Sequence, residues 1–376
     1  MKMNHSPSQS PDSDDFINDI HWIKKIGWCF ASILAALPLI GMLAGGGLWY
    51  WAVPLVFGVI LPIADHLIGE DPTNVNPGAE ARLESSIYYS AILWIFWPLQ
   101  TLVIILSYHL LLQGGLQVAE SVGLLISMLI VSGFGLNLGH ELGHHRNRID
   151  RIMAWLMTAP TSTSDFYIYH NYGHHRDVST PEDPGSSRYG ESLWTFWMRS
   201  IPGKTKNAWR IEAQRLRATG QPLFSWHNRF IVLMLPSFIW LLFLVGTFGG
   251  WAAPLFVLQY LVARTFLVIA DYIEHYGLAR RRLPSGDYEP VRPIHSWNNN
   301  FLISNLVMCQ VNRHSDHHAD PERPYQILRH LPQAPQLPSG YLPMMFIAMI
   351  PPLWHAIMAP RLEKLYANSD IPANRG

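Results

Sequence analysis

Ten of the 18 histidines in this 376-residue chain fall in four short strings. They read His140-Glu-Leu-Gly-His144-His145, His170-Asn-Tyr-Gly-His174-His175, Glu274-His275-Tyr-Gly and His314-Ser-Asp-His317-His318. Residues three or four apart share one face of a helix, so the first, second and fourth strings each present two or more imidazoles to one side. Imidazole nitrogen suits iron, zinc, copper and nickel. One metal with four to six positions cannot use nine or ten histidines, whereas two metals can. His66, His109, His227, His295, His330 and His355 stand alone and read as ordinary boundary side chains.

Three other chemistries compete for these letters. His140-Glu141-x-x-His144 matches the zinc-protease string, with Glu141 as general base. That reading leaves at least six clustered histidines idle. Glu141-x-x-His144 also matches carboxylate-bridged di-iron bundles, which need a second such string. A histidine-lined metal transporter would carry its ligands near the bilayer midplane, and these strings fall at or beyond the membrane boundary. A histidine-only dinuclear site accounts for the most residues.

The elements that must position the strings are apolar. Hydrophobic residues make up 49% and charged residues 14% of the chain, against roughly 25% charged for a soluble protein. The 27 Lys+Arg balance 27 Asp+Glu, which removes the electrostatic footprint of a nucleic-acid binder. Two cysteines, Cys29 and Cys309, exclude a disulfide scaffold, a zinc ribbon and a four-cysteine iron site in this chain. Apolar runs near 28–43, 48–68, 91–112, 122–142, 230–249 and 254–273 each approach the ~20 residues that cross a bilayer. The expected fold is therefore all-α and polytopic, with six transmembrane helices.

The short connections 44–47, 113–121 and 250–253 lack Lys and Arg, while Lys24, Lys25, Arg82, Arg146, Arg148, Arg151, Arg176 and Arg280–Arg282 lie on the other side. Basic excess marks the cytoplasmic face. Both termini and all four strings are then expected on the cytoplasmic side of the inner membrane. A polar, disordered tail is expected over 1–20, with no apolar core of a cleaved signal. One membrane-embedded domain is expected over 21–360, and a polar tail over 361–376. The stretch 146–228, with its amphipathic run Lys204–Arg217, reads as folded. Leu342–Met358 is broken by Pro343, Pro351 and Pro352 and reads as interfacial or re-entrant.

At these residues the chain resembles the membrane di-iron alkane 1-monooxygenases, within the group that includes fatty-acid desaturases and xylene monooxygenases. The narrower resemblance rests on Asn312-Arg-His-Ser-Asp-His-His318 and Asp271-Tyr-Ile-Glu-His-Tyr-Gly-Leu278. It implies two irons held by nine histidines: His140, His144, His170, His174, His175, His275, His314, His317 and His318. His145 stands where the family usually has Lys and is left out of that set. Asp271 stands where the family has Asn. The resemblance further implies O2-dependent terminal hydroxylation of n-alkanes, with electrons from a rubredoxin reduced by an NAD(P)H-dependent reductase. A fatty-acid desaturase or another membrane di-iron hydroxylase is the neighbouring alternative.

An unactivated C–H bond has no acidic proton and no electrophilic carbon, so the hard step falls to the cofactor. Carboxylates beside the ligands are expected to orient their N–H groups and offset charge; Glu141, Asp177, Asp271, Glu274 and Asp316 stand nearest in sequence. Alkane dissolves in lipid, so its path should run between helices, and Trp51, Phe57, Trp94 and Trp97 are placed to narrow it. An acidic rubredoxin would meet a cationic face, for which Arg146, Arg148, Arg280, Arg281, Arg282, Arg313, Arg323 and Arg329 are available.

Overall fold

The computed structural model describes residues 16–17, 19–369 and 371–375. The part of the expected tail over 1–15 lies outside the described residues. Phe16–Ile17 (β1) pairs in parallel with Asn74–Val75 (β2), and Ile20 is buried. Everything else that positions the site is helical. The helices used below are α1 (Phe30–Leu43), α2 (Gly47–Ile68), α3 (Ile87–Gln113), α4 (Val118–His144), α5 (Arg148–Thr158), α6 (Leu193–Ala218), α7 (Arg229–Phe248), α8 (Ala252–His275), α9 (His314–Ala319), α10 (Tyr341–Ala348) and α11 (Pro351–Asn368).

Among the described residues, α2, α3, α4, α7 and α8 are long and apolar enough to cross a membrane. The chain is thus a multi-pass membrane protein, but the expected six-span count is not reached on these criteria. The missing span is α1. Its 14 residues extend about 21 Å at the α-helical rise, short of the ~30 Å hydrocarbon core. The placement of the histidine strings does not depend on α1. The first string ends α4 and the third ends α8, with only α7 crossing between them, so both ends face the same side.

Helix α4 is the pillar. Within its apolar window 78% of residues are buried, against 17–39% in the other four spans. Its start is capped reciprocally: Glu120 accepts from the Gln117 backbone N–H at 2.8 Å and from Gly47 N–H at 2.8 Å. Small residues let neighbours approach closely. A Cβ on Gly139 would sit 2.8 Å from Thr158 of α5, and one on Gly133 would sit 2.8 Å from the Phe266 ring of α8.

Beyond the spans the chain is folded back onto the helix ends. α6 contains the amphipathic run and buries Lys204 against Asp271 of α8. The apolar run over 342–358 breaks at Ile350, before the two prolines that open α11. α10 is packed inside, with Tyr341, Leu342, Met344 and Met345 buried. The last residues also return to the body: Leu362 and Ile371 are buried, and Asn374 N–H donates to the Gly277 carbonyl at 2.9 Å.

Candidate metal centre

The four strings converge into two groups of buried histidines. His140, His144, His170 and His317 form the first, and His174, His275, His314 and His318 the second; within each, one ring nitrogen per residue lies within 4.8 Å of all the others. In the first group, Nε2 of His140 is 2.8 Å from Nε2 of His170 and 3.1 Å from Nε2 of His144. In the second, Nε2 of His314 is 3.1 Å from that of His275 and 2.9 Å from that of His318. His175 stands between the groups. Its Nε2 is 2.9 Å from that of His170, and its ring centroid is 4.9 Å from that of His317 and 4.6 Å from that of His318.

These spacings fit shared metal ions. Two imidazole nitrogens ~2.1 Å from one ion and at right angles are about 3.0 Å apart. The buried Nε2 atoms of His174 and His317 have no hydrogen-bond partner, which is costly unless something else engages them. Burial first, and neighbouring imidazoles second, hold His170, His175 and His318 well below the ordinary imidazole pKa. His314 and His317 are held down in the same way. These rings are therefore neutral near pH 7, the form that coordinates metal.

The backbone explains the partition. His170–His174 is a single π-helical turn, wider than an α-turn. Its two ends serve different groups, although their spacing alone suggested a shared face. α9 splits likewise: His317 turns to the first group, His314 and His318 to the second. Asn298 steadies the start of α9 by accepting from the Ser315 backbone N–H at 2.8 Å.

Of the five carboxylates singled out in the sequence, only Glu274 reaches a grouped histidine. Its Oε2 is 3.3 Å from Nε2 of His314, while Oε1 accepts from Tyr341 OH at 2.9 Å. Asp271 pairs with Lys204, and Asp177 with Arg176. Asp316 accepts from Arg329 and pairs with Arg323. Glu141 accepts from the Tyr325 backbone N–H at 2.9 Å and from His145. The residue missed is Asp183, which accepts from Nδ1 of His174 at 2.9 Å and from Tyr169 OH at 2.6 Å. Although burial opposes it, His174 and Tyr169 hold the Asp183 carboxyl below the usual range. No helical spacing links it to His174, nine residues earlier. His295, read from sequence as an ordinary boundary residue, is also fully buried, and its carbonyl lies 3.5 Å from Nδ1 of His275.

His145 belongs to neither group. Its Nδ1 donates to Asp150 at 2.9 Å and its Nε2 to Glu141 at 3.2 Å. Burial opposes its charge, but the two carboxylates outweigh burial and raise the pKa to about 10. It is a structural cation with no ring nitrogen left for a metal.

A mainly apolar cavity reaches the histidines. Phe57 of α2, Phe134 of α4, Phe266 of α8 and Met345 of α10 wall it, and His140, His170 and His314 close it. Of the four aromatic residues considered for the alkane path, Phe57 lines this cavity. Trp51, Trp94 and Trp97 do not line it. The Trp51 indole N–H donates to the Ala119 carbonyl, that of Trp94 donates to Asp150, and Trp97 packs on the core. Among the arginines considered for docking, Arg313 is buried and donates to the Leu328, Asp71 and Thr73 carbonyls. Its guanidinium holds loops together and is not a surface charge. Arg323 is largely buried between Glu80 and Asp316. Arg280 is half-buried and donates to the Glu289 and Arg176 carbonyls, and half-buried Arg329 is held by Asp316. Arg146, Arg148, Arg281 and Arg282 are exposed.

Helical spans carrying two buried histidine groups at one end define a membrane metalloprotein. The fatty acid desaturase family model matches residues 118–348, and the chain belongs to that family. The alkane 1-monooxygenase 1 of Alcanivorax borkumensis is 37% identical over 369 residues, covering 97% of this chain and 90% of that protein. The alkane 1-monooxygenase of Pseudomonas putida is 38% identical over 352 residues, covering 93% and 87%. That of Ectopseudomonas oleovorans is 39% identical over 352 residues, covering 93% and 88%. Within the desaturase family, the chain belongs with the alkane 1-monooxygenases.

Proposed function

We propose that this protein hydroxylates the terminal methyl group of n-alkanes with O2 at a di-iron centre. The observation that carries the reading is the mainly apolar cavity closed by His140, His170 and His314, at the junction of two histidine groups. The balance is one alkane, one O2, two electrons and two protons giving one primary alcohol and one water. Two irons would be held by the two groups of four, with His175 as the ninth ligand between them. When bound, they supply the O2 activation and C–H cleavage that no side chain can perform.

The protein's own part is aim and exclusion. Phe57, Phe134, Phe266 and Met345 offer an alkane no polar partner, so its chain is held by apolar contact alone. An alkane lying along these side chains would bring a terminal carbon to His140, His170 and His314, which line the same cavity. Asp183 fixes the His174 tautomer by taking its Nδ1–H, leaving Nε2 free to coordinate. Glu274, held by Tyr341, places a carboxyl oxygen 3.3 Å from Nε2 of His314.

The electron donor in this reading is a rubredoxin, itself reduced by an NAD(P)H-dependent reductase, meeting the exposed Arg146, Arg281 and Arg282. The protein sits in the inner membrane with the histidine end and both termini in the cytoplasm, as the Lys/Arg distribution supports. The test is direct. Purified protein with reductant, O2 and a set of n-alkanes should yield primary alcohols by gas chromatography and retain two irons per chain. One zinc and no alcohol would overturn the proposal.

A further inference from the structure

A second cavity also reaches His140 and His170, along a different set of lining residues. The two cavities share only His140, Phe166 and His170 in their linings. Phe166 stands between them, its ring stacked on His170 at 4.6 Å and edge-on to His140 at 5.7 Å. The walls differ in kind. Besides the histidines, the first cavity has only Asn137, Asp271 and Glu274 as polar lining, and no hydroxyl. The second carries Thr163, Ser164 and Asn171 inside and exposed Arg148, Arg151 and Trp226 at its mouth. It is lined by α5 and the start of α7, to which Ile152 and Val232 belong respectively.

We propose that this second cavity is the exit for the primary alcohol, with Phe166 as the partition between entry and exit. This rests on the hydroxylation proposed above. Oxidation converts a chain that needs no polar partner into one that does. A hydroxyl left without a partner in apolar surroundings is penalised by roughly 1–3 kcal/mol. Hydroxyl side chains line only the second route: Thr158, Thr163, Ser164 and Tyr167. Its mouth carries the Arg and Trp side chains typical of a membrane–water interface. The product therefore leaves toward the interface without retracing the path of the incoming alkane, and the two do not compete for one channel.

Two substitutions, one on each helix, would narrow the exit without touching a histidine: Ile152→Trp and Val232→Trp. With two irons bound and an unchanged melting temperature, each should lower steady-state turnover about tenfold, because release then limits the cycle. Single-turnover formation of alcohol should be unchanged. Parallel loss in both regimes, or unchanged turnover in both variants, would overturn the exit. A second readout needs no turnover. A long-chain primary alcohol bearing a diazirine should label peptides of α5 and α7 in the unmodified protein. Labelling confined to the Phe57, Phe266 and Met345 peptides would overturn the exit even if the protein oxidises alkanes. Failure of the unmodified protein to oxidise any alkane would instead refute the reaction, while the labelling pattern still decides whether alcohols occupy this route.

Discussion

The two histidine groups are built differently. The second is tied to fixed groups: His174 to Asp183, His314 to Glu274, and His275 to the His295 carbonyl. All four of its residues are buried. The first has no carboxylate hydrogen-bonded to its histidines among the described residues; an unpartnered buried Nδ1 occurs in both groups, at His170 in the first and at His314 and His318 in the second. Yet the first group supplies His140 and His170 to both cavities. The contrast separates two tasks. One group is oriented at His174 and His275 by fixed acceptors, and the other lines both cavities through His140 and His170.

The largest expected effect comes from removing a ligand. Alanine at any of the nine histidines should abolish hydroxylation and lower bound metal, whereas His145→Ala should retain metal. Metal analysis beside product analysis checks both, and metal loss in His145→Ala would bring it into the ligand set. His145→Ala should still destabilise the fold by ~2 kcal/mol, because two buried carboxylates lose a charged donor. Thermal unfolding reads that change.

Asp183→Asn sharpens the comparison next. Outer partners of metal-bound histidines typically change affinity ~10–100-fold. Under mild chelation the variant should therefore fall from two metals toward one per chain, with the second group emptied first. Equal loss from both groups would break the contrast drawn here.

Proton competition acts on both groups. His170, His175, His314, His317 and His318 have folded pKa values depressed by burial and by one another. A depressed value means the unfolded chain takes up protons first. The stability of the metal-free protein is then present above the unfolded pKa of ~6.5 and lost as pH falls below it. His145 has the opposite sign: raised to about 10, its contribution is full below ~6.5 and lost as pH climbs through about 10. Melting temperature against pH should show the acid arm in every variant and a weakened alkaline arm in His145→Ala. Metal content should fall on the same acid arm.

The smallest effect concerns the donor. Arg281 pairs with Glu289, which contacts His295, whose carbonyl faces His275. Charge-based docking at this edge would place the donor nearest the second group. Arg281→Glu should raise the donor concentration for half-maximal rate a few-fold, and turnover should fall with ionic strength beyond ~0.15 M. Direct chemical reduction should be insensitive to both. Salt-independent turnover would remove docking by charge and leave the metal assignment intact.

Much of the site was legible along the chain. The four strings, their one-sided placement and the exclusion of His145 follow from spacing, span parity and motif. The division of the histidines into groups does not. It depends on the π-turn over His170–His174 and on how α9 sits, and both answer to packing across distant segments. The carboxylates show the same limit. Proximity in sequence pointed to Glu141 and Asp316, which instead brace the loop at Tyr325 and Arg329. Asp183 reaches its histidine through a loop. Arg313, read as a surface charge, is consumed by three carbonyls.

Hydropathy and histidine spacing by themselves determined that this protein is a helical membrane metalloprotein, because both properties are periodic along the chain. Which histidine joins which group, which carboxylate supports it, and how two chemically different cavities meet at His140 and His170 were decided by tertiary structure. Those relations are distances between segments far apart in sequence, set by the close packing of α4 against its neighbours.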